Sequence, residues 1–120
     1  GEGVLLNTRY QPDPVTWSNS LYEMLLPQQA ALDANYPNPF NPSTAIPFAL
    51  PGSVSDVSLQ IYNMLGQRVR TLMSGPMEPG FHTIVWNGRD DTGSQVAAGL
   101  YITELRTAQL RRTRKMLLLK

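Results

Sequence analysis

His82 is the sole histidine of this 120-residue chain, and cysteine is absent, so a nucleophile and base device could be assembled only around that one imidazole. His82 follows Phe81 inside a strand-like run, where a histidine is more often a structural residue with a hydrogen-bonded ring. Asp90 and Asp91 are the only adjacent carboxylates. Acid and base work needs convergent side chains, whereas neighbours in a turn diverge, and turn chemistry alone accounts for aspartates there. The surrounding Asn87-Gly88-Arg89-Asp90-Asp91-Thr92-Gly93 offers oxygen ligands of the kind calcium takes. It lacks the alternating ligands and distal glutamate of a calcium-binding helical loop, so a plain turn is favoured. Arg89 pairing with either aspartate at the surface would contribute only about 0 to 1 kcal/mol. No catalytic, cofactor-binding or metal-ligating residue is assigned, and the chain is read as a non-enzyme without cofactors.

Charge is local. The formal net charge is +1, yet six of the ten basic residues (Arg106, Arg111, Arg112, Arg114, Lys115, Lys120) fall in the last fifteen positions with no acid among them. Phosphate neutralisation is one use for such a cluster. Without interleaved aromatics, protection of an edge strand or an ordinary solvated face is the better reading, and no nucleic-acid partner is expected. The 42% hydrophobic content is spread over short runs, none near the roughly 18 apolar residues of a membrane-spanning helix, so a soluble chain is expected. Lack of cysteine removes disulfides and leaves the redox compartment open. The chain starts at Gly1 and shows no signal segment, which suits a processed protein or a piece of a longer one.

The elements that would position these residues fall into two parts. Eight of the ten prolines lie in the first 51 residues, and the border is the stretch Asn35-Tyr36-Pro37-Asn38-Pro39-Phe40-Asn41-Pro42-Ser43-Thr44. Prolines there push Tyr36, Asn38 and Asn41 away from helix, giving a stiff lead-in whose rings, Tyr36 and Phe40, are expected to anchor on the strand-rich remainder of the chain. Beyond it, strands are expected at Ala45 to Leu50, Val57 to Tyr62, Gln67 to Leu72, Phe81 to Trp86, Gly99 to Leu105 and Arg111 to Leu119, with a short edge piece near Gln95 to Ala97. Val57, Leu59 and Ile61 alternate with Ser58, Gln60 and Tyr62, giving one buried face, and Trp86 is expected at the core centre. Gly66 suits a hairpin turn, and Gly75, Pro76, Pro79 and Gly80 read as one longer turn.

Four ordered motifs stand out: Tyr36-Pro37-Asn38-Pro39-Phe40-Asn41-Pro42, Ile61-Tyr62-Asn63-Met64-Leu65-Gly66-Gln67-Arg68-Val69, Gly80-Phe81-His82-Thr83-Ile84-Val85-Trp86-Asn87-Gly88 and Ala98-Gly99-Leu100-Tyr101. Together they closely resemble the carboxy-terminal type A sorting domain of the bacterial type IX secretion system, and they are similar to the Ig-like domain of flagellar hook-capping proteins. The resemblance covers about Asn35 to Lys120. It implies an all-β fold, an Ig-like antiparallel β-sandwich of about seven strands over 35–120, and Tyr36, Phe40, Ile61, Trp86 and Tyr101 are expected as structural anchors of that domain. It also implies an exported module recognised by outer-membrane machinery, found outside the cell or on the bacterial surface. Arg114, Lys115, Met116, Leu117, Leu118, Leu119 and Lys120 look like the basic then apolar terminus of that family, although spacing alone favours an ordinary final strand. Members usually carry a large enzyme or adhesin before the lead-in, and here only residues 1–34 precede it.

Those residues form an extended leader with a strand expected at 4–10 and a short helical turn near 20–26 ended by Pro27. Val4, Leu6, Thr8 and Tyr10 alternate with Leu5, Asn7 and Arg9. Burying a Val or Leu stabilises by about 1.5 to 3 kcal/mol, while ordering each backbone costs about 1 to 2 kcal/mol, so this strand needs a sheet edge to hold it. Either its own domain or a neighbour can supply that edge. From Gln11 to Ala34 the chain reaches about 80 Å when extended, enough to meet a second copy. Head-to-tail donation of that kind does not close and builds a filament. The expected partners are therefore proteins, either export machinery or copies of the chain itself, and a hook-cap-like assembly role has only the similarity of the sandwich behind it.

Overall fold

A computed structural model describes residues 24–120. The expected strand Val4–Tyr10 lies outside the described residues. So does most of the expected helical turn, of which Met24 and Leu25 have helical backbone.

Among the described residues seven strands form two antiparallel sheets: β1 (Ala31–Leu32), β2 (Thr44–Leu50), β3 (Val54–Asn63), β4 (Arg68–Met77), β5 (Gly80–Trp86), β6 (Gly99–Arg106) and β7 (Arg111–Leu118). One sheet has the order β1-β2-β5 and the other β4-β3-β6-β7. This is the expected all-β sandwich. Period-two alternation decides which residues meet between the sheets. Thr44, Ile46, Phe48 and Leu50 of β2, Val57, Leu59 and Ile61 of β3, and Leu105 of β6 are buried there, with Trp86 fully enclosed.

Two turns show the local chemistry. The side-chain oxygen of Asn63 accepts from the amides of Leu65 and Gln67, both at 3.0 Å, and Gly66 takes φ 82° to close the β3–β4 hairpin. The expected long turn from Gly75 to Gly80 is corrected: Gly75 and Pro76 belong to β4, and only Glu78 and Pro79 connect it to β5. Gly75 faces Val57 where the register shifts because β3 carries an extra residue, and β4 is an outer strand, so a glycine and a proline are tolerated opposite the irregularity. The expected edge piece at Gln95 to Ala97 is a single bridge between Arg89 and Gln95.

The sandwich also begins earlier than the composition border suggests. Ala30 and Leu32 are buried and β1 pairs with β2 through Ala31↔Ala49 and Leu32↔Phe48. Two residues carry no readable alternation, so composition alone leaves this strand in the leader.

Candidate functional site: the carboxy-terminal strand and its clamp

The lead-in is held from inside by a small polar hub. Asn35 donates from Nδ2 to Thr44 Oγ1 at 2.9 Å and to the Pro37 carbonyl at 3.2 Å, and the Thr44 hydroxyl donates to that same carbonyl at 2.8 Å. Both side chains are buried. Tyr36 corrects an expectation. The residue is 79% exposed and is tied by its backbone, which exchanges two 2.9 Å bonds with Ala45. Phe40 does enter the core, with its ring centre 5.7 Å from Trp86, and Trp86 in turn meets Tyr101 edge-on at 5.3 Å.

The central ring of this aromatic stack and the ring at one end are each pinned by a backbone carbonyl. Trp86 Nε1 donates to Arg89 O at 2.8 Å, and the Tyr101 hydroxyl donates to Ala97 O at 2.6 Å. Burial raises the Tyr101 phenol above its ordinary value. The last expected anchor, Ile61, is fully buried in β3.

Phe40 also clamps β7. Its amide donates to Leu117 O and its carbonyl accepts from Leu119 N, both at 2.9 Å, while Leu117 N donates to Asn38 Oδ1 at 3.0 Å. Arg114 reaches across to donate from Nε to the Leu32 carbonyl at 2.7 Å. Because Leu117 turns its backbone groups away from β6, the alternation of an antiparallel ladder turns those of Thr113 and Lys115 the same way. They face a groove of about 330 Å³ between β7 and the lead-in, lined by Leu32, Asn35, Asn38, Arg112, Thr113 and Lys115.

The seven terminal residues singled out in the sequence are thus divided by the fold. Met116 and Leu118 are core residues, and Thr103 donates from Oγ1 to the Met116 sulfur at 2.9 Å. Arg114, Lys115, Leu119 and Lys120 remain exposed, and Leu117 is half-buried. Arg114 to Leu118 are strand, with Leu119 still held by Phe40. Among the described residues the other basic side chains are partly paired: Arg106 and Arg111 flank the carboxylate of Glu104 at 3.6 and 3.3 Å.

The groups that first suggested chemistry are used in holding loops together. Asp90 Oδ1 accepts from Thr92 Oγ1 at 2.6 Å and from the amides of Thr92 and Ser94 at 3.0 Å. The Thr92 hydroxyl, then the Ser94 amide, hold its carboxyl below the ordinary range. Asp91 Oδ1 accepts from Thr71 N at 3.0 Å, tying the same loop to β4. His82 stacks on Phe48 at 5.3 Å and bonds through Nε2 to the Glu78 carbonyl at 2.8 Å.

Sequence reasoning missed the Asn35–Thr44 hub and the Asn38 acceptor. The prolines mark a stiff lead-in there, but the partners, Thr44 and Leu117, are set by tertiary contact. Among the described residues no helix is long and apolar enough to cross a membrane.

The structure is similar to FlgD from P. aeruginosa, with 25% identity and a TM-score of 0.49 over 62% of this chain and 57% of that one. It is also similar to dimeric latent PorU from Porphyromonas gingivalis, at 21% identity and a TM-score of 0.53, over 75% of this chain and 9% of that one. The chain thus spans a little over half of the first and a small part of the second, and the second likeness is one of fold. No curated protein matches the chain. A family model, described as the FlgD Ig-like domain, matches residues 38–109, from the Asn38 of the clamp to the end of β6 and beyond, and the chain belongs to that family.

Proposed function

We propose that this domain is a non-catalytic recognition and attachment module of an exported bacterial protein, acting outside the cell or at its surface, and that it works as a carboxy-terminal sorting domain. The observation that carries this reading is the presentation of β7. Its terminus is fixed along a sheet edge by Phe40 and Asn38, with Lys115, Leu119 and Lys120 exposed beside it. The ordered motifs that resemble type IX sorting domains support the same role. A rigid strand with a basic and apolar border gives export machinery a shape to read, and rigidity lowers the ordering cost of binding.

The test is a secreted reporter fused to the whole chain, with Lys115→Glu, Leu119→Glu and Lys120→Glu combined. Met116 and Leu118 are untouched, so the fold is kept. The reporter is expected to stay in the cell or periplasm; export equal to that of the parent fusion overturns the reading.

A second reading is a surface subunit that polymerises by donating Val4–Tyr10 to a neighbouring sandwich. What favours it is that β5 is an outer strand bearing exposed Phe81 and Val85.

A further inference from the structure

The sandwich has outer strands at both ends of each sheet, and all but one are guarded. Arg111, Arg112, Arg114 and Lys115 line β7, and Phe40 caps its end. Along β4 there are register shifts and Pro76, while Asp91 covers its outward groups by bonding Val69 O at 3.1 Å and Thr71 N at 3.0 Å. On the third side β1 has two residues, with Arg114 on the Leu32 carbonyl and Tyr36 paired to Ala45.

β5 carries no such device. Ala45 bonds Tyr36 and the Pro47 carbonyl accepts from Asp33, so the odd residues of β2 turn towards β1 and the even ones towards β5. The unbroken register Ile46↔Ile84 and Phe48↔His82 then leaves the amides and carbonyls of Phe81, Thr83 and Val85 pointing outward, with no partner among the described residues. There is no Lys, no internal Pro and no bulge along these seven residues.

Side chains around the edge are apolar as well. Phe81 is 76% exposed and Val85 61%. Cross-strand pairing sets them opposite Ala49 and Ala45, and Thr83 opposite Pro47, so none of these β2–β5 pairs holds a charged residue. On the inward side Ile84, Leu72 and Met73 are only half-buried against the core. Such a strand left bare is an aggregation site, so its lack of protection points to an eighth strand pairing there.

We propose that the chain's own leader fills this edge, with Val4–Tyr10 pairing antiparallel to β5 within the same molecule. The segment matches the seven residues of β5 in length, and its alternation sets Val4, Leu6 and Tyr10 beside Ile84 and Leu5, Asn7 and Arg9 on the outer face. An antiparallel strand in that place ends at the same end of the sheet at which β1 begins. The connection Gln11 to Ala30 reaches about 65 Å when extended, whereas three strand spacings are about 15 Å. A tether of that length keeps the segment at roughly millimolar effective concentration, above that of a second copy in a micromolar solution. This strand pairing is independent of the export reading, which is tested at the opposite end of the chain. It competes directly with donation to a neighbour.

Amide hydrogen exchange on the full chain, with sedimentation to fix its size, tests the proposal. The monomer is expected to protect Phe81, Thr83 and Val85, and Leu6→Asp is expected to release them by about 100-fold while Ile46 and Phe48 stay protected. Thr83→Pro removes an outward donor from the acceptor strand and is expected to release residues 4–10 in turn. Unprotected Phe81, Thr83 and Val85 in a monomer, or no change on Leu6→Asp, overturn the proposal. So does protection that arises only in polymers, which is the signature of donation to a neighbour.

Discussion

At Gly88 the loop after β5 leaves no room for a side chain beside Pro42 of the lead-in, and an alanine there measures how firmly the two are seated. The residue has φ +76°, and a Cβ built on it would lie 2.9 Å from the Pro42 carbonyl oxygen and 3.7 Å from the Pro42 Cβ. Gly66 provides the internal control, with φ +82° and open space around the same position. A side chain in the left-handed region costs about 1 to 2 kcal/mol, and both alanines bear it. Gly88→Ala must also move backbone in a packed site, an overpacking cost of about 1 to 3 kcal/mol. The expectation is a loss of about 1 to 2 kcal/mol for Gly66→Ala and about 2 to 5 kcal/mol for Gly88→Ala. Urea unfolding followed by circular dichroism reads the difference, provided the slopes of the two variants agree. If the two losses fall within about 0.5 kcal/mol of each other, Pro42 moves aside freely and the lead-in is not seated on the loop.

Phe40→Ala empties a buried ring site against Trp86 and is expected to cost about 3 to 5 kcal/mol, seen as a fall in the urea midpoint. Thr44→Val leaves Asn35 Nδ2 and the Pro37 carbonyl each short of a partner, for a loss of about 1 to 3 kcal/mol in the same assay. Asp90 has a folded value below its ordinary 3.8, so its contribution is present above that pH and is lost as pH falls through the folded value. Following the Thr92 and Ser94 amides by nuclear magnetic resonance should show their loop shifts titrating below pH 3.8, and Asp90→Asn should abolish that titration.

How much of this was legible depended on whether the controlling contact was local. The alternation of Val57, Leu59 and Ile61 predicts its own burial, because period two and the amphipathic sheet are the same fact. Gly75 and Pro76 misled for a physical reason: glycine and proline mark turns in general, but an edge strand tolerates both opposite an irregularity. In β7 only Met116 and Leu118 carry a core pattern, and the exposed stretch Arg111 to Lys115 is strand through its pairing with β6. The lead-in announced itself by its prolines. That Phe40 would bond both sides of Leu118 could not be read from it, since that contact joins residues at opposite ends of the domain.

The fold of β7 also decides what kind of signal the terminus can be. Cutting the chain before Arg114 removes Met116 and Leu118 from the core, and each buried Met or Leu truncated to alanine already costs about 2 to 5 kcal/mol. The Phe40 and Asn38 bonds to Leu117 and Leu119 go with them. Against a total of about 5 to 15 kcal/mol for an ordinary domain, such a cut unfolds the sandwich. A truncated fusion that fails to leave the cell would therefore report unfolding as much as a lost address. Charge reversal at Lys115 and Lys120 with Leu119→Glu changes only exposed side chains. Failure of export in that folded variant reports the loss of a recognised feature at the exposed border of β7, and not the loss of the fold.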